Sequence, residues 1–212
     1  MSFYLYPDIV KTLTGTDFQE YLNENFYDRI GGTTLGYNAG RKYSLDRIVP
    51  TENDNYFRMT QLHGVVHDEG AAMLDGVSGH AGLFARSYDL AAMWQMYLNE
   101  GTYGGERYIS PQTIEKFSVC QFCEEGNRRA IGFDKPLIEY NKRSSSVARQ
   151  ASPSSFGHSG YTGTFVWLDP EYNFMYVFLS NRVYPTRNST AIYDLAVRPT
   201  IHTIVYEEMG VR

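Results

Sequence analysis

Residues 156–181 read FGHSGYTGTFVWLDPEYNFMYVFLSN, and this stretch predicts a β-hairpin on which the rest of the chain is organised. Residues 164–168 are rich in β-branched and aromatic side chains, which suit a half-buried strand. Residues 169–173 supply the turn chemistry of Asp, Pro and Asn. The near-continuous apolar run 174–179 predicts a second strand that is covered on both faces.

A glycine-rich segment comes directly before this hairpin. His158, Ser159 and Gly160 are flanked by Gly157 and Gly163. Glycines around one imidazole and one hydroxyl group allow a backbone to approach a ligand closely. The local sequence leaves two interpretations open, namely a turn that leads into an edge strand and one side of a binding site.

The composition is that of an ordinary globular protein, since 42% of the 212 residues are hydrophobic and 20% are charged. This length, without repeats or a clear linker, predicts a single domain over residues 1–212. The net charge of -5 offers no electrostatic basis for binding nucleic acid. No apolar run approaches the roughly 20 residues that span a bilayer. Residues 1–15 also lack the basic start and apolar centre of a signal peptide.

Two further motifs suggest chemistry that the surrounding sequence does not support. Cys120 and Cys123 form a single C-x-x-C, so a four-cysteine zinc site is excluded and structural or incidental thiols are expected rather than a redox pair. His63 and His67 are four residues apart and are followed by Asp68, which raises the alternative of a metal-dependent hydrolase. However, the glutamate of H-E-x-x-H is missing and Gly64 disfavours a helix, so we expect no metal.

Helices precede strands along the chain. Apolar residues at helical spacing predict helices over residues 3–13, 16–30, 88–99, 112–117, 190–195 and 201–209. Gly15 ends the first helix, Thr16 and Gln19 predict a capping box for the second, and Ser110 predicts the cap of the fourth. Residues 32–55 and 142–155 are typical of loops, and residues 130–138 predict another strand. This order indicates an α+β fold rather than alternating βαβ units.

The hairpin region resembles one branch of a known superfamily. His158-Ser159-Gly160, a Trp-bearing strand, the Asp169-Pro170 turn and a strand that ends at Ser180-Asn181 resemble the serine β-lactamases and penicillin-binding proteins, in particular the class C-like branch with D,D-peptidases and esterases. Further upstream, VHDEGA (66–71), GVSGHAGLFA (76–85), YGG (103–105) and ISP (109–111) resemble the serine-hydrolase module that some bacterial proteins carry behind a β-N-acetylhexosaminidase-type glycosidase. The resemblance covers nearly the whole chain.

The resemblance implies a partial β-lactamase/transpeptidase-like fold, in which the C-terminal strands form an antiparallel sheet with flanking helices. It implies a small-molecule or peptidoglycan-type substrate, no cofactor, and a location in the periplasm or outside the cell. The family's third motif, on the strand, carries over as His158, Ser159 and Gly160, and the N–H of Tyr161 becomes the donor of an oxyanion hole.

The family's first two motifs are not found in these residues. Every lysine is preceded three positions earlier by a residue other than serine, so there is no Ser-x-x-Lys nucleophile. Two Tyr-x-Asn strings begin at Tyr21 and Tyr97, but both fall inside predicted helices whose tyrosines belong to the core stripe. We therefore expect the C-terminal portion of a longer hydrolase, catalytically incomplete by itself. The alternative is a non-catalytic module that binds glycan or peptide, or that self-associates through an unpaired sheet edge.

Overall fold

The computed structural model describes residues 2–212, so Met1 lies outside the described part of the chain. These residues form two compact units. The first unit contains the chain up to Met93 together with Val183–Asn188, and the second contains Trp94–Arg182 and Ser189–Arg212. The single domain that the sequence predicts over residues 1–212 stays a prediction.

The first unit begins with helices whose ends are encoded locally. A 3₁₀ turn, Ser2–Leu5, leads into helix α1 (Tyr6–Thr14), which ends where Gly15 takes a left-handed φ of 76°. This confirms the helix predicted over residues 3–13. Helix α2 (Phe18–Leu22) follows and continues as a π-helical turn, Asn23–Tyr27.

The capping box predicted for the second helix is wrong. Asp17 rather than Thr16 occupies the N-cap position, and no side chain caps the helix there. Gln19 is used elsewhere, because its amide nitrogen donates to Asn23 Oδ1 at 2.7 Å and its amide oxygen accepts from the backbone N–H of Tyr37 at 2.7 Å. The tertiary contact with Tyr37 thus replaces the local one.

The segment predicted as a loop over residues 32–55 contains short elements. These are α3 (Ala39–Lys42), a 3₁₀ turn (Leu45–Arg47) and β1 (Glu52–Asp54). Strand β1 pairs antiparallel with β2 (Thr60–Leu62). The connection between these strands is held by Asp54, whose carboxylate accepts the backbone N–H groups of Tyr56, Phe57 and Arg58 at 2.9 to 3.0 Å. Helix α4 (Glu69–Ala72) follows and is capped by Asp68.

The middle of the chain agrees with its sequence signals. Helix α5 spans Ser87–Leu98, and a short hairpin of β3 (Thr102–Tyr103) and β4 (Glu106–Arg107) follows it. Helix α6 (Pro111–Ser118) begins as predicted, because Ser110 Oγ accepts the N–H of Thr113 at 3.1 Å. Beyond α6, Cys120 and Cys123 are joined in a disulfide, so the expectation of two thiols is wrong.

The second unit is built on a three-stranded antiparallel sheet with the order β5-β6-β7. Its strands are β5 (Phe156–Ser159), β6 (Phe165–Asp169) and β7 (Phe174–Phe178). Trp167 of β6 lies opposite Gly157 of β5 and Tyr176 of β7, which fixes the register on both sides. The predicted hairpin is confirmed, but the burial of its strands is the reverse of that predicted, because all five residues of β6 are buried and all five of β7 are half-buried. The strand predicted over residues 130–138 is wrong: only an isolated bridge joins Asp134 to Gly157, because Pro136 has no N–H to donate to a ladder.

The core of this unit lies on β6, all five residues of which are buried. Asp169 at its end accepts the backbone N–H of Ser152 at 2.9 Å and the hydroxyl of Tyr206, and so ties a loop and a helix to the sheet. Two helices close the chain, α7 (Ala191–Asp194) and α8 (Val197–Glu208), near the predicted positions. With these helices and small antiparallel sheets, the fold is α+β. Among the described residues 2–212 we find no helix whose length and hydropathy would let it span a bilayer.

Candidate functional site

The predicted site residues lie at the end of strand β5. We call His158-Ser159-Gly160-Tyr161 the strand-end motif. His158 pairs in register with Val166 of β6, and Ser159 is the last residue of β5, so the motif closes a strand and does not open one. The imidazole of His158 is exposed, and its Nδ1 lies 2.9 Å from the carbonyl oxygen of Ser159. Because a carbonyl only accepts, Nδ1 carries the proton and Nε2 is the acceptor of the neutral ring.

Other parts of the protein lie directly against two glycines of this segment. A Cβ on Gly157 would lie 2.1 Å from the carbonyl oxygen of Val166, and one on Gly160 would lie 2.3 Å from Thr164 Oγ1. The N–H of Gly160 donates to the carbonyl of Thr164 at 2.8 Å. At these two positions the space of a Cβ is therefore taken by β6 and by the turn that leads into it, and the approach of a ligand to this segment stays a prediction.

Arg182, which sequence reasoning missed, holds the turn that follows the strand-end motif. Its backbone N–H donates to the carbonyl of Thr162 at 2.8 Å, and its Nε donates to the carbonyl of Tyr161 at 2.7 Å. The guanidinium also lies 4.3 Å from the centre of the Tyr161 ring, and Nη1 donates to the carbonyl of Ser189 at 2.8 Å. One side chain thus fixes the backbone next to the motif. The sequence carries no local signal of this role, because Arg182 follows the motif by more than twenty residues.

A cavity of about 360 Å³ lies next to the motif within the second unit. Ser159, Gly160 and Tyr161 form one side of it. The other sides come from residues 143–146 and from the segment that carries α7 and the start of α8. This volume lies at the low end of the range for small-molecule sites, about 300 to 1,000 Å³. The exposed imidazole of His158 is not among the lining groups.

Comparison with known proteins identifies the family of this chain. The family model described as Beta-lactamase matches residues 2–198. The chain belongs to the β-lactamase family. A putative D-alanyl-D-alanine carboxypeptidase of Escherichia coli strain K12 is 33% identical over 187 residues, and one of Salmonella gallinarum is 30% identical over 186 residues. Each match covers 82% of this chain and 42% of the relative, so the chain spans less than half the length of these curated relatives.

Solved structures show the same fold. A β-lactamase from Mycobacterium bovis matches with a TM-score of 0.62 at 19% identity, covering 97% of this chain and 61% of that one. Unliganded simvastatin synthase from Aspergillus terreus matches with a TM-score of 0.61 at 16% identity, covering 95% of this chain and 52% of that one. The architecture is therefore β-lactamase-like, as the resemblance of the hairpin region implied.

The two Tyr-x-Asn strings of this β-lactamase-family chain lie on helices, as predicted. Tyr21 belongs to α2 and Tyr97 to α5. Burial raises the pKa of Tyr97 above its ordinary value, which is the reverse of what a proton relay needs. Because both tyrosines lie on helices away from the strand-end motif in the sequence, neither is assigned to the site.

The residues of the metal alternative do not converge. The imidazole of His67 bonds Glu52 Oε2 at 2.7 Å through Nε2, whereas the Nε2 of His63 faces the carbonyl oxygen of Ile48. Asp68 accepts from His80 Nε2 at 2.8 Å and from the N–H of Ala71 at 2.8 Å. Nowhere in residues 2–212 do three His, Cys, Asp or Glu side chains form a group that could hold a metal ion.

Glu52, the partner of His67, also forms a buried ion pair in the first unit. Glu52 is 2% exposed, and its carboxylate accepts both the backbone N–H of Arg187 at 2.8 Å and Arg187 Nη2 at 2.8 Å. Nη1 of the same arginine lies 2.8 Å from Glu69 Oε1. Burial alone would raise the pKa of Glu52, but the hydrogen bonds from Arg187 and His67 hold it below its ordinary value. This pairing holds β1 to residues 183–188 and supplies no reactive group.

A serine, a histidine and an aspartate are hydrogen-bonded in series in the first unit. Ser78 Oγ lies 2.8 Å from His80 Nδ1, and His80 Nε2 lies 2.8 Å from Asp68 Oδ1. The composition is that of a catalytic triad. However, Ser78 is only 1% exposed, and the ring of Tyr4 covers the imidazole at a centroid distance of 4.0 Å. No substrate carbonyl reaches this hydroxyl, so the series is structural.

Proposed function

We propose that this chain supplies the strand side of the substrate site in a serine hydrolase of the D,D-peptidase, esterase or β-lactamase type that acts on a cell-wall-related peptide, amide or ester. The observation that carries the proposal is the strand-end motif itself, which exposes His158 and Tyr161 at the end of β5 and is held by Arg182. The matched relatives named putative D-alanyl-D-alanine carboxypeptidases support the substrate class. The family resemblance supports the reaction type.

The motif suits acyl transfer. A substrate lying along the end of β5 would meet the Nε2 of His158, which can bind an amide N–H of the substrate by accepting its hydrogen bond. The N–H of Tyr161 is the donor that the resemblance assigns to the oxyanion of the tetrahedral intermediate. The hydroxyl and the amine of a Ser-x-x-Lys are not among these 212 residues, so the nucleophile and its base are supplied from elsewhere.

The first test concerns covalent chemistry. The 212-residue chain is incubated with a fluorescent penicillin, a chromogenic cephalosporin and an activated ester, and its intact mass is measured. We expect no adduct and no turnover above background, because removing the nucleophile leaves at most weak binding and oxyanion effects. Stoichiometric acylation of this chain would contradict the assignment of an absent nucleophile.

The second test concerns binding at the strand-end motif. A peptide that ends in D-Ala-D-Ala should shift the backbone amide signals of residues 158–161 in an NMR titration, and His158→Ala should abolish the shifts. Glu171→Ala is the matched control, because Glu171 is exposed in the turn after β6, at the opposite end of the sheet. Unchanged amide signals in the wild-type chain would overturn the assignment of this motif to the substrate.

We propose self-association as a second candidate function, and the state of strand β7 favours it. All five residues of β7 are only half-buried, whereas those of β6 are all buried. Within residues 2–212, β7 pairs with β6 on one side only, and Leu179 just beyond it is 40% exposed. An unpaired strand edge with apolar neighbours is a template for pairing with another chain.

A further inference from the structure

An accessible disulfide lies beyond helix α6 in the second unit. Cys120 and Cys123 are bonded to each other, with a sequence separation of only 3. Cys123 is exposed and Cys120 is partly exposed. Exposed disulfides are typically the labile, regulatory or catalytic ones. The position of this bond therefore allows a thiol from solution to reach it.

Hydrogen bonds hold this segment independently of the disulfide. The N–H of Asn127 donates to the carbonyl of Phe122 at 3.0 Å. The side-chain amide of Gln121 donates to the carbonyls of Lys116 and Val119, both at 3.0 Å, at the end of α6. None of these bonds involves a sulfur atom, so we expect the segment to keep its shape when the disulfide is opened.

The ring that the disulfide closes is too small to add much stability. In the chain-entropy account, the gain from a disulfide grows with the length of the loop that it closes. The ring over residues 120–123 lies at the short end of that range. We therefore expect the second unit to stay folded without the bond. A bond that is accessible and dispensable for folding is suited to reversible opening.

Three apolar side chains are exposed close to the disulfide in the chain. Phe122 lies inside the ring and is 54% exposed, and Val119, directly before Cys120, is 46% exposed. Phe117 in the last turn of α6 is 41% exposed. Exposed apolar side chains that occur together, with an aromatic among them, are typical of contacts with another protein. This favours a protein over a small thiol as the reactant.

We propose that the Cys120–Cys123 disulfide is a thiol–disulfide exchange site that is reduced by a dithiol protein. A thiolate of the dithiol attacks Cys123 Sγ, because Cys123 is the more exposed residue. The bond between the two cysteine sulfurs breaks, and Cys120 leaves as a thiolate and takes up a proton. The second thiol of the partner then attacks the mixed disulfide and releases Cys123. Two electrons and two protons pass to the two cysteines, and the partner becomes a disulfide.

The first experiment treats the folded, oxidised chain with reduced thioredoxin, a dithiol protein, without denaturant. Free thiols are alkylated with iodoacetamide and counted from the intact mass, while near-ultraviolet circular dichroism follows the tertiary structure. We expect both cysteines to be alkylated in a chain that stays folded. In a sample that is not alkylated, oxidised glutathione should re-form the disulfide. Alkylation that requires urea, or that comes with loss of the circular dichroism signal, overturns the proposal.

The second experiment identifies the sulfur that is attacked. A thioredoxin variant without its second cysteine forms the mixed disulfide but cannot resolve it. Peptide mapping should find this trapped partner on Cys123. A partner trapped on Cys120 contradicts the proposed order of attack, and the absence of any mixed disulfide overturns the exchange itself.

The third experiment tests whether the reactant is a protein. The wild-type chain should be reduced faster by thioredoxin than by dithiothreitol at equal thiol concentration. Phe122→Ser should slow the reaction with thioredoxin roughly tenfold, because an aromatic contact is lost, and should leave the reaction with dithiothreitol unchanged. Phe57→Ser is the matched control, since Phe57 is 45% exposed but lies between β1 and β2 in the first unit. Equal thioredoxin rates for Phe122→Ser and the wild-type chain contradict a protein reactant, and if the variant does not fold, the two wild-type rates decide.

This inference goes beyond the proposed hydrolase function and does not depend on it, since neither cysteine belongs to the strand-end motif or lines the cavity beside it. If the D-Ala-D-Ala peptide leaves residues 158–161 unchanged while thioredoxin reduces the folded chain, only the proposed function falls. If the peptide binds and the disulfide resists thioredoxin, only the exchange site falls.

Discussion

His202 lies in the middle of α8 and is fully buried. Its Nδ1 accepts the backbone N–H of Ala148 at 3.3 Å, and its ring stacks on Tyr176 at a centroid distance of 4.8 Å. Burial lowers the pKa of His202 to about 4, although the nearby charge of Asp169 opposes this effect. The folded chain therefore holds this imidazole neutral, whereas the unfolded chain protonates it at its ordinary pKa near 6.5.

The stability of the second unit should depend on this histidine at mildly acidic pH. Because the folded pKa is the lower one, the contribution is complete above about pH 6.5 and is lost as the pH falls towards 4. Between about pH 8 and pH 5 the loss in the free energy of unfolding should be roughly 2 kcal/mol. His202→Gln retains an acceptor for Ala148 and should remove most of this dependence in urea unfolding.

His158→Gln is the control, since it removes an exposed imidazole from the same unit. It should keep the pH dependence of the wild-type chain. The expectation is wrong if His202→Gln loses as much stability between these two pH values as the wild-type chain does.

At the scale of elements, strands β5 and β6 approach each other closely at one glycine. Gly157 lies opposite Trp167, and a Cβ at this position would lie 2.6 Å from Trp167 Cε3 as well as 2.1 Å from the carbonyl oxygen of Val166. Both the backbone of β6 and a large buried ring occupy the space of a methyl group. The position of the strand-end motif thus depends on the lack of a side chain at Gly157.

Gly157→Ala should therefore destabilise the sheet. Forcing one methyl group into this contact should cost about 1–3 kcal/mol or more in urea unfolding. Gly36→Ala is the control, because a Cβ there would find its nearest neighbour, Gln19 Oε1, at 3.4 Å. Equal unfolding midpoints for the two variants would show that β5 and β6 separate without penalty.

Elements with local signals were predicted well from sequence, and those without them were not. The hairpin of β6 and β7, the left-handed Gly15 and the Ser110 cap all depend on residues within a few positions of each other. The capping box at Thr16 failed because Gln19 bonds Tyr37, eighteen residues away. A local pattern loses to a tertiary hydrogen bond when both compete for one side chain.

At the scale of the molecule, the half-buried β7 edge predicts self-association. Light scattering across a range of concentrations should give a mass that rises above that of the monomer, because strand edges pair with each other. Leu179→Lys should return the chain to a monomer, since a charge on an edge opposes pairing. Ile138→Lys, which replaces another exposed apolar residue outside the strands, should not. A monomeric wild-type chain at every concentration contradicts this prediction.

The sequence by itself determined the α+β class, the hairpin, the family and the position of the strand-end motif. The hairpin and the position of the motif rest on residues that are close together in the chain, from the turn at residues 169–173 to the run His158-Ser159-Gly160. The class rests on the order of the elements, and the family on short motifs between residues 66 and 181. Their chemistry is readable because local spacing sets which side chains share a strand, a turn or a cap.

Only the tertiary structure decided the partners of the buried charges. Glu52 pairs with Arg187 across 135 residues, and Arg182 reaches back to the carbonyl of Tyr161. Sequence patterns do not show which distant segments meet, whereas the energy of a buried charge depends on those meetings.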